Sequence, residues 1–504
     1  MNKNSSIRGA KSDYRVVAGY HNLPPEVGCI SEAPCTRERC RLRGESTQCS
    51  DPSRVHFVKL MHPTLSPSLP IHKGSLMTTR RSFLKSAAAA SLSPLILRSS
   101  AWAAASERLT LGFMGVGKMG RGHLDGFLGR KDVEVVAVSD VVKERLDDAA
   151  ARVEKRYADR RASGSFQGVK AYGDFRELLA HGGLDAVVIA TPDHWHAIPC
   201  ILAARAGKHI YCEKPLTHNV AEGRRIVDEV AKAKVVFQTG SQQRSEFGGH
   251  FRKAVEYIWN GRIGKIKTIR IGVGGPAKPC DLPGQEVPAG TDWETWCGPA
   301  PLRDYNEILC PKGIHDHFPA WRNYQEYGGG AIADMGAHHF DIAQWAMETD
   351  RSGPVEIIPP EKPNDGHGLK YVYENGVTMI HNEFEGDLKG DCVFEGTDGI
   401  IVVSRGGISS KPDSILKEPL GENARRVIDA NNHHANWLDA IRSGKETICP
   451  AEVGHRSATI CHLGNIGYRL GRKLKWDPSK ENFVGDEAAS KELSREARGE
   501  WKKV

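Results

Sequence analysis

The 504-residue chain has no C-x-x-C pair, no long block of lysine and arginine, and no uninterrupted apolar run of membrane-spanning length. Each absence excludes a class. A span needs about eighteen consecutive apolar residues, and the longest candidate, Thr78 to Leu97, is broken by Ser91, Ser93 and Pro94. No membrane partner is expected. The net charge of +7 is small for this length, so nucleic acid is not the expected partner either. Of the twelve cysteines, Cys29, Cys35, Cys40 and Cys49 are separated by 5, 4 and 8 residues, which matches no zinc spacing. The other eight are scattered singly and read mostly as small buried hydrophobes, with disulfides among Cys280, Cys297 and Cys310 as an open alternative. The histidine pairs His315/His317, His338/His339 and His433/His434 lack a local acidic or cysteine pattern, so no metal is expected. What remains is an ordinary globular composition, 39% hydrophobic and 26% charged, long enough for two domains with their own cores.

The stretch TTRRSFLKSAAAASLSPLIL begins at Thr78, and paired arginines at Arg80-Arg81 precede Phe83-Leu84 and an alanine-rich segment. Small residues follow at Ala101-Trp102-Ala103 and Ala103-Ala104-Ala105, as a signal peptidase requires. This order resembles a twin-arginine (Tat) signal peptide, and Met77 stands where its start would fall. Residues 1–76 show neither helical nor strand periodicity and are expected to be absent from the mature protein. Residues 77–105 are the expected signal, which implies recognition by the Tat machinery and export to the periplasm after folding in the cytoplasm.

An apolar strand, Leu109 to Met114, then runs into Gly115-x-Gly117-x-x-Gly120 and a helix-like stretch, followed by a second strand ending in Asp140. In that setting the glycines have separate tasks: Gly115 permits a tight turn, Gly117 lets backbone approach a pyrophosphate, and Gly120 lets helix and strand pack closely. The helix amino terminus supplies unpaired N–H groups for the phosphates. Asp140 is placed to accept hydrogen bonds from ribose hydroxyls and to repel a 2′-phosphate, which favours NAD(H) as cofactor; it also suits a helix cap. Strand and helix signals alternate through Ala186–Ala190 and HIYCEKP to VVFQTGSQQR, a parallel-sheet pattern. Thr191, Pro192, His196 and Glu213 follow the ends of these strands and are the remaining expected cofactor contacts. The domain is expected over residues 106–240.

Glu213-Lys214-Pro215, placed after such a domain, resembles the signature of the glucose-fructose oxidoreductase/inositol dehydrogenase (Gfo/Idh/MocA) family, and YGGGAIADMGAHHFDIAQW resembles that family's Gly-rich turn with its Asp-x-x-x-His. The resemblance covers roughly 108–478. It implies a Rossmann domain followed by an α+β domain with a largely antiparallel open sheet, and catalytic roles for Lys214, Asp334 and His338. Asp334 and His338 are four apart, which on a helix puts both on one face. A neutral His338 can take a hydroxyl proton as hydride leaves the same carbon, while Lys214 holds the oxygen.

Residues 241–478 are expected to form this substrate domain, with hairpin signals at Asn375-Gly376 and Asp398-Gly399, and 479–504 a charged tail. Arg322, His317 and Trp321 are expected to face substrate, with His434 on a late helix packed back toward the site. Trp293, Trp296 and Trp321 equally suit packing. The expected activity is NAD(H)-dependent oxidation or reduction of a sugar, polyol or glycoside. Alternatives are glycoside cleavage through transient oxidation and a non-catalytic sugar-binding protein. The family also implies a homo-oligomer.

Overall fold

Six strands near the start of the computed structural model, which describes residues 108–504, make a parallel sheet. They are β1 (Leu109–Met114), β2 (Val133–Ser139), β3 (Lys170–Tyr172), β4 (Ala186–Ile189), β5 (His209–Cys212) and β6 (Phe237–Thr239). Their order is β3-β2-β1-β4-β5-β6, so the chain reverses direction across the sheet between β1 and β4, where dinucleotide folds bind their ligand. β4 is buried throughout and β1 nearly so, as strands with helices on both faces must be. Those helices include α1 (Lys118–Leu128), α2 (Lys143–Arg156), α3 (Ala197–Arg205) and α4 (Val220–Ala233). The expected extension 1–76 and signal 77–105 lie outside the described residues.

After helix α5 (His250–Trp259) the period changes to two and a nine-stranded sheet forms. Its members are β7 (Ile266–Ile271), β8 (Glu356–Ile358), β9 (Lys370–Val372), β10 (Thr378–His381), β11 (Cys392–Gly396), β12 (Ile400–Ser404), β13 (Gly407–Lys411), β14 (Leu474–Asp477) and β15 (Asn482–Phe483). The order is β13-β12-β11-β7-β10-β9-β8-β14-β15, and every pairing is antiparallel except β7 with β10. Both hairpins signalled by Asx-Gly form: β9 pairs with β10 around Gly376, whose φ of 84° is left-handed, and β11 pairs with β12 around Asp398-Gly399. Helices α5, α6 (Gly336–Ala346) and α8 (Ala451–Leu470) share the apolar core of this sheet.

Two features depart from the boundaries read in the sequence. Helix α7 (His433–Ser443), far along the chain, returns to the first domain, where Trp437 and Leu438 join the core formed by β1, β2 and α1. Residues 479–504, expected as a charged tail, add β15 and two short helices, and Trp501 packs on Trp195 and Phe175 at centroid distances of 4.8 and 6.2 Å. A charged segment reads as solvated when its few apolar residues, here Leu493 and Trp501, cannot be assigned partners from local spacing. Cys280, Cys297 and Cys310 are free thiols, so the disulfide alternative does not hold.

Candidate active site

Gly115 has φ 79°, and a side chain there would press on Ala190 and Thr191 at 2.9 Å. A Cβ on Gly120 would lie 1.9 Å from the Gly115 carbonyl oxygen, so α1 reaches the end of β1 only because residue 120 is glycine. A Cβ on Gly117 would meet nothing within 4 Å, which is the open approach a pyrophosphate needs. Gly117 caps α1 without any side-chain hydrogen bond and no acidic residue occupies the first turn, leaving the helix amino terminus to an anion. Nearby, Thr191 Oγ1 is buried without a partner. Asp140 accepts from the Val116 and Val142 amides, both at 2.9 Å, and so ties the glycine loop to the start of α2 while keeping lone pairs for hydroxyl donors. Burial pushes its carboxyl up, against the pull of Arg145 and these amides. The residues present fit a dinucleotide.

His196 bridges two loops. Its Nδ1 is 2.8 Å from the Pro215 carbonyl oxygen and its Nε2 is 2.9 Å from that of Thr191. With both ring nitrogens on carbonyls, this expected cofactor contact acts instead by fixing the Thr191-Pro192 loop to the Lys214-Pro215 loop. Glu213 is also engaged within the protein: Oε1 accepts from Gln242 Nε2 at 2.7 Å and lies 2.8 Å from His123 Nε2. Burial alone would raise its carboxyl, but His123 and Lys214 hold it below the ordinary value.

Lys214 follows directly, and its ammonium donates to Asp334 Oδ1 at 2.6 Å and to the Asp334 carbonyl at 2.8 Å. Arg322 Nε lies 3.3 Å from the same carboxylate oxygen, with its guanidinium 4.2 Å from the Trp321 ring centroid. Burial pushes the Asp334 carboxyl up, but Lys214 and Arg322 outweigh it and keep the group ionised. Asp334 ends a short helix, Ala331–Asp334, and His338 stands in the first turn of α6 beyond Met335. Asp334 therefore orients Lys214 rather than His338. The His338 imidazole is buried, its Nδ1 has no partner, and burial together with the Lys214 charge drives it well below its ordinary basicity, so the ring is neutral. Lys214, Asp334, Arg322 and His338 thus converge at the carboxyl end of the parallel sheet.

Two more groups were missed in the sequence. Asp193, in the turn after β4, is buried and pushed up to about 8 by that burial, partly opposed by Arg322 and Lys214. Its place after a parallel strand was a usable signal, but an acidic residue in a turn also reads as a cap. His123 on α1 links Glu213 to His434, whose Nε2 is 2.8 Å from His123 Nδ1; nothing in local spacing joins positions 311 residues apart. His434 accordingly braces α7 against α1. His317 is exposed on a loop held to α1, where Arg121 donates to the His315 carbonyl at 2.8 Å and to Asp316 at 2.7 Å. That position is beside α1. Trp293 and Trp296 stack on each other at 4.6 Å within a buried aromatic cluster that also takes Trp321, so all three pack.

A parallel six-stranded domain with this glycine loop, joined to a domain with a mostly antiparallel sheet that supplies Asp334 to Lys214, defines a two-domain dinucleotide-binding protein. The NAD-binding Rossmann fold of the Gfo/Idh/MocA oxidoreductase family matches residues 109–241, and the same family's C-terminal alpha/beta domain matches 277–503. The chain belongs to that family, and its nucleotide is NAD. It is similar to myo-inositol 2-dehydrogenase of Thermotoga maritima, 29% identical over 47% of this chain and 55% of the relative. It is also similar to levoglucosan dehydrogenase of Pseudarthrobacter phenanthrenivorans, 26% identical over 48% of this chain and 52% of the relative. The match thus spans about half the length of these curated relatives. Among solved structures, the WlbA dehydrogenase of Bordetella pertussis in complex with NADH and UDP-GlcNAcA aligns with a TM-score of 0.52 at 18% identity, over 74% of this chain and 99% of that one. At that identity the likeness speaks for the fold.

Proposed function

We propose that the protein is an NAD(H)-dependent oxidoreductase acting on a hydroxyl-bearing carbon of a sugar, polyol or glycoside. The observation that carries this reading is the Lys214 ammonium held at 2.6 Å on Asp334, with the neutral His338 imidazole, whose Nδ1 has no partner, in the same cluster. The names of the relatives, an inositol and a levoglucosan dehydrogenase, support the substrate class. Gly115, Gly117, Gly120 and Asp140 would hold NAD(H), which would supply the acceptor or donor of hydride. Lys214 donates a hydrogen bond to the reacting oxygen and stabilises negative charge developing on it. Neutral His338 accepts the hydroxyl proton in oxidation and returns it in reduction. Asp334 and Arg322 hold the ammonium in place, and Arg322 keeps donors for a neighbouring hydroxyl. We further propose export by the Tat route, supported by the order of Arg80-Arg81, the alanine-rich segment and the Ala-x-Ala sites.

The test is a screen of inositols, anhydrosugars and glycosides with added NAD, reading reduced nicotinamide and product separately. Reduced nicotinamide formed in step with ketone supports the proposal. Release of an aglycone with no net nucleotide change would replace it with glycoside cleavage through transient oxidation.

A further inference from the structure

From the buried aromatic cluster of the second domain a loop, residues 308–320, reaches across to the parallel-sheet domain. Its ends are fixed: the Ala320 amide donates to the Ile308 carbonyl at 3.2 Å, and Leu309, Cys310 and Trp321 are buried in the cluster. Its span is not. From 311 to 320 no apolar side chain is buried, and Ile314 and Phe318 are 50% and 53% exposed. Apolar burial therefore adds little to hold the span in place. Polar contacts with the nucleotide-binding domain hold it instead. Arg145, in the first turn of α2, donates Nε to the Gly313 carbonyl at 3.0 Å and Nη2 to the Pro311 carbonyl. Gly313 has φ 60°, and a Cβ there would press on the Glu144 carboxylate, so the loop lies directly against α2. Arg121, in the first turn of α1, donates Nη2 to the His315 carbonyl at 2.8 Å and to Asp316 Oδ1 at 2.7 Å, and Lys118 Nζ is 3.4 Å from that same carboxylate oxygen. Beyond them the Phe318 ring centroid is 5.2 Å from the Arg322 guanidinium carbon.

The order of these contacts along the loop follows the order of the parts of a dinucleotide. Arg145 is close enough to act on Asp140, the acceptor for ribose hydroxyls. Lys118 and Arg121 come directly after Gly117, the turn open to a pyrophosphate. Arg322 adjoins the Lys214–Asp334 pair. A segment bonded to the first turns of both α2 and α1 bridges the two elements that flank the adenosine diphosphate half of a bound dinucleotide. Asp316 also takes the cations nearest the α1 amino terminus, which an incoming pyrophosphate would claim as well. We propose that the loop 308–320 is a gate on cofactor exchange: the dinucleotide enters and leaves only when the span 311–319 lifts away from Arg145, Arg121 and Lys118. Fixed ends around a span without a buried apolar anchor allow that motion while both domains stay folded. The gate rests on NAD(H) binding and not on the chemistry proposed at Lys214.

The test is stopped-flow fluorescence of NADH, mixed with the whole chain to follow association and displaced by excess NAD to follow release. No substrate is present, so the result is independent of hydride transfer. Gly313→Ala drives a methyl at Glu144, and Asp316→Asn gives up the charge that meets Lys118 and Arg121. In the double variant both rate constants are expected to rise about tenfold or more, with Kd changed less than about threefold, because an open gate speeds both directions alike. Asp316→Asn alone, at an exposed position that the fold tolerates, should raise both about twofold. Thermal unfolding checks that each variant is folded. Unchanged rates in both variants, faster release matched by an equal loss of affinity, which marks a simple cofactor contact, or a wild type without saturable NADH binding would each overturn the proposal.

Discussion

At the scale of single residues, Lys214 and Asp334 form a charged pair, and the proposed function divides the labour between them: the ammonium would meet the reacting oxygen, and the carboxylate holds the ammonium. Lys214→Met is expected to lower kcat/KM by about 10²–10⁴-fold, the range of one positioned proton-transfer or charge-stabilising group, with little change in NAD affinity. His338→Ala should fall in the same range. Steady-state kinetics beside NAD titration checks both, and near-wild-type kcat in either variant would remove that residue from the chemistry. Asp193 makes a different prediction. Its carboxyl, pushed up to about 8, is protonated below that pH and ionises above it, adding negative charge beside Lys214 and Arg322. Activity should therefore decline as pH rises through about 8, and Asp193→Asn, which stays neutral, should extend the plateau upward. A pH profile with the same alkaline limb in both proteins would show that another group sets it.

Among the elements, the glycine loop separates cofactor binding from folding. Gly117→Ala places its methyl in open space, so the unfolding temperature should hold while NAD affinity falls at least tenfold. Gly120→Ala drives a Cβ against the Gly115 carbonyl and should destabilise the domain itself, by about 1–3 kcal/mol as overpacking does. Denaturant titration beside NAD titration distinguishes the two. Helix α7 carries the converse case: Trp437 is fully buried against Phe127 of α1 and Tyr211 of β5, both more than 200 residues earlier in the chain, and Trp437→Ala should cost about 3–5 kcal/mol. The same contrast separates what could be read in the sequence from what could not. The strand, glycine turn and helix are local in sequence, with periodicity and turn chemistry visible within twenty residues, and so are the two Asx-Gly hairpins. Lys214 and Asp334 could each be named because each sits in its own recognisable motif, but their contact with each other could not. His123–His434, Asp193 and the return of Trp437 depend on tertiary approach, and local spacing carries no sign of it.

For the whole molecule, the buried histidines set the response to acid. Burial holds His194 down to about 3 and His339, His433 and His462 to about 4, against about 6.5 when unfolded. Between these values the unfolded chain binds more protons than the folded one, so the stability of the native state is undiminished by these groups above 6.5 and is lost as pH falls toward 4. A tenfold difference in proton affinity between the folded and unfolded chain is worth about 1.4 kcal/mol. The unfolding temperature should therefore drop steeply between pH 6.5 and 4; a flat profile across that interval would contradict the burial described.

The central claim, that Lys214 and His338 serve hydride transfer to or from NAD(H), is tested most directly by isotope. The substrate found in the screen is prepared with deuterium at the oxidised carbon and incubated with the protein and NAD, and the nucleotide is examined by mass spectrometry. One deuterium per reduced nicotinamide, formed by the wild type and not by Lys214→Met, is the predicted result. Product formed while deuterium is absent from the nucleotide throughout turnover would contradict the account.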